Sequence, residues 1–241
     1  MAATVFCREY MIHVHKRNRF YLFWLMTLGA TMGVFLSGDL FTAFLFFEVM
    51  SFTSFVLVIQ TEEYPALKAG ETYLAVAVIG GLAALTGLFL LYRQLGTLSL
   101  DAMAAAAAGA EDRGLLWVGG LLVLVGFGAK AGAFPLHIWL PTAHPAAPAP
   151  ASAVLSGVIT KTGIYGVLVL STTVFLHDKQ WGMLLAVLGA VTMVLGAVLA
   201  VLSVDLKRTL ACSSISQIGF ILVGTAMLCL LGEHNALAVD G

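Results

Sequence analysis

Residues 126–144 read GFGAKAGAFPLHIWLPTAH, and the prediction of the fold starts from this stretch. Lys130 stands inside an apolar run, and Pro135 follows it. Because proline lacks a backbone N–H and interrupts helices, the stretch predicts a membrane helix that carries Lys130 and breaks just beyond it. Helices broken at mid-depth are a recurring device of transport proteins, since the freed backbone groups can line a hydrated cavity.

The composition of the whole chain indicates an all-α, polytopic membrane protein. Of its 241 residues, 60% are hydrophobic and only 10% are charged, whereas a soluble domain carries roughly 25% charged residues. The net charge of −1 offers no basic patch for a nucleic acid. The three cysteines are too far apart to predict a disulfide framework or a metal site.

Apolar runs of about 20 residues predict seven transmembrane helices in a single membrane domain over residues 1–241. Asp39 is predicted to cap the second helix, and Pro65 to open the third. The alanine tract between the third and fourth spans predicts a short surface helix. The predicted spans are 20–36, 40–59, 69–92, 115–140 with the break, 151–174, 181–204 and 210–231.

The distribution of basic residues predicts a cytoplasmic N-terminus, because cytoplasmic loops carry an excess of Lys and Arg. This orientation leaves Lys130 and Lys161 on neither side of the bilayer. The predicted cytoplasmic side holds Arg8, Lys16, Arg17, Arg19, Lys68, Lys207 and Arg208, and the opposite side holds Arg93, Arg113 and Lys179.

Three ionisable residues, Glu48, Lys130 and Lys161, lie well inside predicted spans. Each charged group costs roughly 2.5–3.5 kcal/mol at mid-membrane, and such groups usually mark an ion path. The protonation of a buried amine responds to a nearby carboxylate, which gives a lysine the means to load and release protons. The alternative is a structural ion pair that fixes helix register, although one acid can neutralise only one of the two lysines.

His137 and His144 follow the predicted break. They serve either as hydrogen-bonding groups in a polar corner or as a proton relay toward the cytoplasm, since imidazole titrates near neutral pH. The tryptophans suit the belt where protein meets the lipid headgroups; they are Trp24, Trp117, Trp139 and Trp181.

Taken together, these motifs resemble the signature of the antiporter-like subunits. Such subunits occur in respiratory complex I, membrane-bound energy-converting hydrogenases and Mrp-type cation/proton antiporters. The resemblance covers nearly the whole chain, with the motifs in the same order. It is carried by Phe46–Met50, Gly128–His144, Ala147–Ser152, Thr160–Gly166, Asp205–Leu210 and Ser214–Phe220.

The resemblance implies roles for particular residues. Glu48 is the acid that pairs with Lys130, and Lys161 is the next lysine along a hydrophilic axis. His137 lies near the cytoplasmic mouth of the path. His144, Lys207 and Asp205 form a secondary set.

The resemblance also implies a setting for the chain. Redox chemistry or a cation gradient drives the transport of protons or Na+, and the chain itself holds no cofactor, no metal and no catalytic residue. Its expected partners are other membrane subunits of the same complex and the lipid bilayer. The expected location is the cytoplasmic membrane of a bacterium or archaeon.

The resemblance leaves alternatives open. Family members have about fourteen spans in two inverted repeats, so this chain is either a fragment or is completed by another polypeptide that carries the exit half-channel. A truncated scaffold that transports nothing is the alternative to an ion-translocating subunit. A haem- or quinone-binding membrane enzyme is a third hypothesis, weakened because His137 and His144 lie in one segment rather than on facing spans.

Overall fold

The computed structural model describes residue 7 and residues 9–13, 16–110 and 112–239, with residues 232–239 as backbone. Arg8, counted above among the basic residues, lies outside the described residues. The described chain is helical, which confirms the all-α prediction. Its α-helices are α1 (Arg17–Leu36), α2 (Leu40–Val58), α3 (Tyr64–Leu95), α4 (Leu100–Ala108), α5 (Arg113–Ala131), α6 (Leu140–Ala146), α7 (Ala149–Val154), α8 (Thr160–Thr173), α9 (Lys179–Val201) and α10 (Leu206–Val239).

Within the described ranges, seven helical runs are long and apolar enough to cross a bilayer, as predicted. The third and fourth runs are longer than predicted. The third begins at Tyr64 because Pro65 occupies the first turn, where a missing N–H costs nothing. The fourth runs from Arg113 to Ala146, because helix resumes as α6 after the break.

Aspartates cap several of the described helices. Asp39 caps α2 as predicted, since its carboxylate accepts a 2.8 Å hydrogen bond from the backbone N–H of Thr42. Asp112 and Asp178 cap α5 and α9 in the same manner. A capping carboxylate satisfies a backbone N–H that the first turn of a helix leaves without a partner.

The break beyond Lys130 comes earlier than predicted. Helix α5 ends at Ala131, and Gly132 adopts a φ of 83°, which is strained for any residue with a Cβ. The N–H of Ala133 donates to the carbonyl of Gly128 at 2.9 Å, and the N–H of Gly132 donates to that of Ala129 at 3.2 Å. This pair of bonds is the Schellman ending of a helix. The glycine therefore ends the helix, and Pro135 only prevents its immediate continuation.

Short irregular helices connect the broken ends. A 3₁₀ turn, Leu136–Trp139, leads from the break into α6. A π-helical turn, Leu155–Ile159, joins α7 to α8, so that these three pieces form one membrane-spanning run. The predicted surface helix corresponds to α4, although Met103 and Ala107 on it are buried.

Helix pairs pack side by side and place Lys130 inside the bundle. Helix α1 packs along α2, α3 along α5, and α9 along α10, while α8 covers another side of α5. The contact between α3 and α5 is close: a Cβ on Gly126 would lie 2.5 Å from the carbonyl oxygen of Gly80. Small residues at such positions allow two backbones to approach each other in a membrane.

Three of the four tryptophans do not fit the predicted interfacial belt. Trp24, Trp139 and Trp181 are each at most 2% exposed, so their rings are packed among helices instead of facing lipid headgroups. The indole N–H of Trp139 and that of Trp181 find partners inside the protein, at the carbonyl of Ala129 and the hydroxyl of Ser171. An internal hydrogen bond removes the reason for an indole to remain at the wet boundary.

Candidate functional site

Lys130 lies in the last turn of α5 with only 3% of its surface exposed. Its Nζ donates a 2.7 Å hydrogen bond to the hydroxyl of Tyr73 on α3. The same nitrogen lies 4.1 Å from the centre of the Tyr73 ring and 5.9 Å from that of Trp139, both within cation–π range. An amine buried this deeply needs such partners, because removing its hydration is costly.

The sequence reasoning missed Tyr73, which is 1% exposed. Its hydroxyl also lies 2.5 Å from the Oγ of Ser54 on α2. Ser54 in turn donates to the backbone carbonyl of Met50 at 2.6 Å. A tyrosine inside an apolar span was the available signal, since a buried phenol requires a hydrogen-bond partner, but the sequence does not reveal which partner it meets.

Glu48 lies near the middle of α2 and is half-buried. Its Oε1 is buried and has no hydrogen-bond partner among the described residues. The carboxylate rests against Gly81 of α3, where a Cβ would lie 2.6 Å from Oε1. Only a residue without a side chain leaves room for the carboxylate there.

Glu48 and Lys130 are not in direct contact. The ion pairs within 4.0 Å in the described part of the chain are those of Glu62 with Lys16 and with Arg19. The α3 residues that the two site residues touch, Gly81 and Tyr73, are eight positions apart, which is about 12 Å along a helix. The pairing of Glu48 with Lys130 therefore stays a prediction.

A small enclosed cavity lies beside the Lys130 amine. It has a volume of about 10 Å³ and is lined by Tyr73, Ala77, Gly126 and Lys130, among others. A volume of this order accommodates about one water molecule. The space beside the amine is therefore on the scale of a single water molecule and not of an open channel.

Lys161 lies at the start of α8 and is half-buried. Its Nζ donates to the backbone carbonyl of Ser156 at 2.8 Å. That carbonyl belongs to the π-helical turn, a feature that the sequence reasoning missed and that is frequent at functional sites. The Oγ of Ser156 also lies 2.6 Å from that of Ser214 and so connects this turn to α10.

His144 is the more deeply buried of the two predicted histidines, with 2% of its surface exposed. Its Nδ1 lies 2.7 Å from the Oγ of Ser152, while its Nε2 is buried without a hydrogen-bond partner in the described chain. Lys161 and Lys207 both lie near enough to interact electrostatically with its ring. Lys207 donates to the carbonyl of Ala147 at 2.9 Å, which holds α10 against the end of α6.

His137 and Asp205 make contacts with other residues. His137 sits in the 3₁₀ turn with its ring stacked near that of Phe134, and its buried Nδ1 has no hydrogen-bond partner among the described residues. Asp205 is exposed and accepts a 2.8 Å hydrogen bond from the N–H of Arg208 at the start of α10. Its contacts are those of a helix cap.

Two open cavities lie at the end of the bundle where α3 and α10 begin. One, of about 350 Å³, is lined partly by Thr142 and Lys207. The other, of about 510 Å³, is lined partly by Lys68, Asp205 and Arg208. Across the described ranges, no group of three or more His, Cys, Asp or Glu side chains is placed to hold a metal ion.

A known protein family matches this chain. The profile of the family described as "NADH:quinone oxidoreductase/Mrp antiporter, TM" matches residues 37–239. A Na(+)/H(+) antiporter subunit of Alkalihalophilus pseudofirmus is 34% identical over 227 residues, which is 94% of this chain and 45% of that relative. Hydrogenase-4 component B of Escherichia coli is 35% identical over 219 residues, 89% of this chain and 32% of that relative.

A solved structure shares the fold. A chain in the structure of the Mrp complex from Dietzia sp. superposes with a TM-score of 0.78 and 31% sequence identity, over 85% of this chain and 39% of that one. The present chain therefore spans less than half the length of each of these three proteins.

Proposed function

The chain belongs to the NADH:quinone oxidoreductase/Mrp antiporter family of membrane subunits, and from this membership we propose that it moves protons or Na+ as one subunit of a multi-subunit membrane complex. Redox chemistry or a cation gradient drives the movement, and the other membrane subunits are its partners. We also propose that residues 1–241 form one membrane domain, an idea supported by the packing of neighbouring helices.

The observation that carries the proposal is the Lys130 amine, buried at a helix break inside the bundle. It lies between the Tyr73 hydroxyl and a small cavity, with the Glu48 carboxylate on the neighbouring helix. A membrane protein keeps an ionisable group at such a cost when the group serves ion movement. In this proposal, pairing between Lys130 and Glu48 changes the proton occupancy of the amine.

A second group of residues extends the path. Lys161 lies on α8, and its charge and that of Lys207 act on the ring of His144. We assign Lys161 the next position for a proton after Lys130, and His144 with Lys207 the connection to the cavities at the end of the bundle. His137 and Asp205 have a smaller part in the proposal, because their contacts are with Phe134 and with the start of α10.

The proposed location is the cytoplasmic membrane of a bacterium or archaeon, with the N-terminus in the cytoplasm. Successive spans cross the bilayer in opposite directions, so α1, α3 and α10 begin on the same side. Arg17 and Lys207 lie in the first turns of α1 and α10, and Lys68 follows the first turn of α3. An excess of basic residues on one side supports the cytoplasmic assignment of that side.

The test uses the native complex in everted membrane vesicles, with proton movement followed by a ΔpH-sensitive dye. We expect Lys130→Ala, Glu48→Ala and Lys161→Ala each to abolish or strongly reduce proton movement. Lys179→Ala, an exposed lysine at the start of α9, is the matched control and should leave transport unchanged. Unchanged transport in Lys130→Ala and Glu48→Ala complexes that assemble normally would refute the proposal. Replacing Na+ by choline in the same vesicles separates proton from Na+ transport.

A further inference from the structure

We propose that Tyr73, supported by Ser54, is a positioning residue that holds the Lys130 amine apart from the Glu48 carboxylate. The Tyr73 hydroxyl thereby sets how readily the amine and the carboxylate pair during each transport cycle. This inference rests on the ion-translocating role proposed above for Lys130 and Glu48, and it adds to that mechanism a residue that the sequence reasoning missed.

A charged Lys130 amine gives the hydrogen bonds around Tyr73 one direction. An ammonium group only donates, so the Tyr73 oxygen accepts from Nζ at 2.7 Å and directs its own proton to the Oγ of Ser54, 2.5 Å away. The single proton of Ser54 is then directed to the carbonyl oxygen of Met50 at 2.6 Å. The order of donation is amine to phenol, phenol to serine, and serine to backbone carbonyl.

This chain of hydrogen bonds holds the amine but does not conduct protons onward. It ends on a backbone carbonyl, which accepts a hydrogen bond but has no proton to pass on. The phenol ring is fixed from a second side, since it meets the Trp139 ring edge-on with 4.9 Å between centroids. Its face lies against the amine at 4.1 Å. Tyr73 is thus a rigid support for the amine.

Glu48 is the competing partner for the same amine. Its buried Oε1 has no hydrogen-bond partner in the described chain, and a charged acceptor binds an ammonium group more strongly than a neutral one does. Ser54 and Glu48 lie six positions apart on α2, about 9 Å along the helix axis. One helix therefore presents both the support that retains the amine, through Tyr73, and the carboxylate that attracts it.

Removing the Tyr73 hydroxyl should shift this competition toward Glu48. Tyr73→Phe keeps the ring and its contact with the amine but deletes the acceptor oxygen. The amine then pairs with Glu48 for longer, and turnover should fall about tenfold, the effect of losing one hydrogen bond to a charged group. The cation concentration that gives half-maximal transport should shift as well, because pairing with Glu48 changes the proton occupancy of the amine. Ser54→Ala should have a smaller effect in the same direction.

The experiment measures turnover and half-maximal cation concentration in everted vesicles that contain the assembled complex. Its variants are Tyr73→Phe, Ser54→Ala and 3,5-difluorotyrosine at position 73. The matched control is Tyr92→Phe, on the same helix but 55% exposed. Fluorination alters the hydrogen-bonding strength of the phenol while leaving its size nearly the same, so a residue that serves only packing would not respond to it.

The expected result is reduced turnover in Tyr73→Phe and altered turnover in the difluorotyrosine complex, with Tyr92→Phe at the wild-type rate. Wild-type turnover in either Tyr73 variant would overturn the positioning role. If Tyr73→Phe does not assemble, the difluorotyrosine complex decides. The outcomes also separate the two proposals: wild-type transport in Lys130→Ala and Glu48→Ala refutes ion translocation by these residues. If those two variants lose transport while Tyr73→Phe transports at the wild-type rate, only the role of Tyr73 is refuted.

Discussion

The indole Nε1 of Trp139 donates a 2.8 Å hydrogen bond to the carbonyl oxygen of Ala129, across the break that follows α5. Ala129 immediately precedes Lys130, and Trp139 is the last residue of the 3₁₀ turn on the far side of the break. The two broken ends are therefore joined by a buried side chain next to the candidate site. This bond ties the segment beyond the break to the last turn of α5, which carries Lys130.

Substituting Trp139 should reveal the contribution of this bond to stability. Trp139→Phe removes the indole N–H and should lower the free energy of unfolding by about 1 kcal/mol, beyond the effect of the smaller ring. Trp24→Phe is the matched control, because its buried Nε1 has no hydrogen-bond partner among the described residues. Thermal unfolding of the purified complex in detergent measures both variants. Equal losses would mean that the bond to Ala129 adds nothing.

A side chain at position 132 should destabilise the protein. Because its φ is 83°, Gly132→Ala places an L-residue in the left-handed region, at a cost of roughly 1–2 kcal/mol. Gly96→Ala is the control, since Gly96 has a φ of 68° and a Cβ there meets nothing within 4 Å. Both variants should unfold at lower temperature, but only Gly132→Ala should also reduce transport in vesicles, because it distorts the break beside Lys130. A transport defect of equal size in Gly96→Ala would contradict this account.

Gly81→Ala should displace the Glu48 carboxylate. The added Cβ would lie 2.6 Å from Oε1, which is closer than atoms pack, so the carboxylate must move. Inserting an extra methyl group into a packed contact typically costs about 1–3 kcal/mol, because neighbouring groups must shift. Since the group that shifts here is the Glu48 carboxylate, we expect a severalfold loss of transport in complexes that still assemble. Gly29→Ala changes an exposed helical glycine with open space around it and should transport normally. Wild-type transport by Gly81→Ala would show that the position of Glu48 is not critical.

Acid should weaken the docking of α1 onto the loop before α3. Lys16 and Arg19 both donate hydrogen bonds to the Glu62 carboxylate. These bonds hold the pKa of Glu62 below its ordinary value of 4.5, and the bond from Lys16 has the larger effect. A carboxyl whose pKa is lowered by folding stabilises the protein fully above its unfolded pKa, and this contribution disappears as the pH falls through the folded pKa. Wild type should therefore exceed Glu62→Gln in thermal stability at pH 7, and the difference should vanish in strong acid.

Two further measurements check the origin of that difference. High salt should shrink it at pH 7, because the two ion pairs are exposed to solvent. Glu63→Gln, at the neighbouring position that precedes α3, should leave thermal stability at pH 7 nearly unchanged, because Glu63 forms no ion pair with the described residues. A difference between wild type and Glu62→Gln that persists unchanged in acid would rule out the carboxylate as its source.

The local features of the fold were predictable from neighbouring residues. Asp39 caps α2 and Pro65 opens α3 as predicted, because a cap or a first turn involves groups only a few positions apart. The break beyond Lys130 was predicted from Pro135, but Gly132 ends the helix three positions earlier. The helix ends there because the N–H groups of Gly132 and Ala133 form Schellman hydrogen bonds instead of continuing the helix. A proline is visible in the sequence, whereas these hydrogen bonds are not.

The sequence was enough to place ionisable groups within apolar spans. The thickness of the bilayer sets the length of such a span, and its apolar residues can be read directly from the sequence. What those groups meet depends on the packing of the helices. Lys130 and Tyr73 are 57 positions apart, and their contact depends on how α3 packs along α5. Hydrogen bonds act over about 3 Å and between specific atoms. The partner of a buried amine therefore depends on helix rotation and depth, which periodicity and composition do not fix.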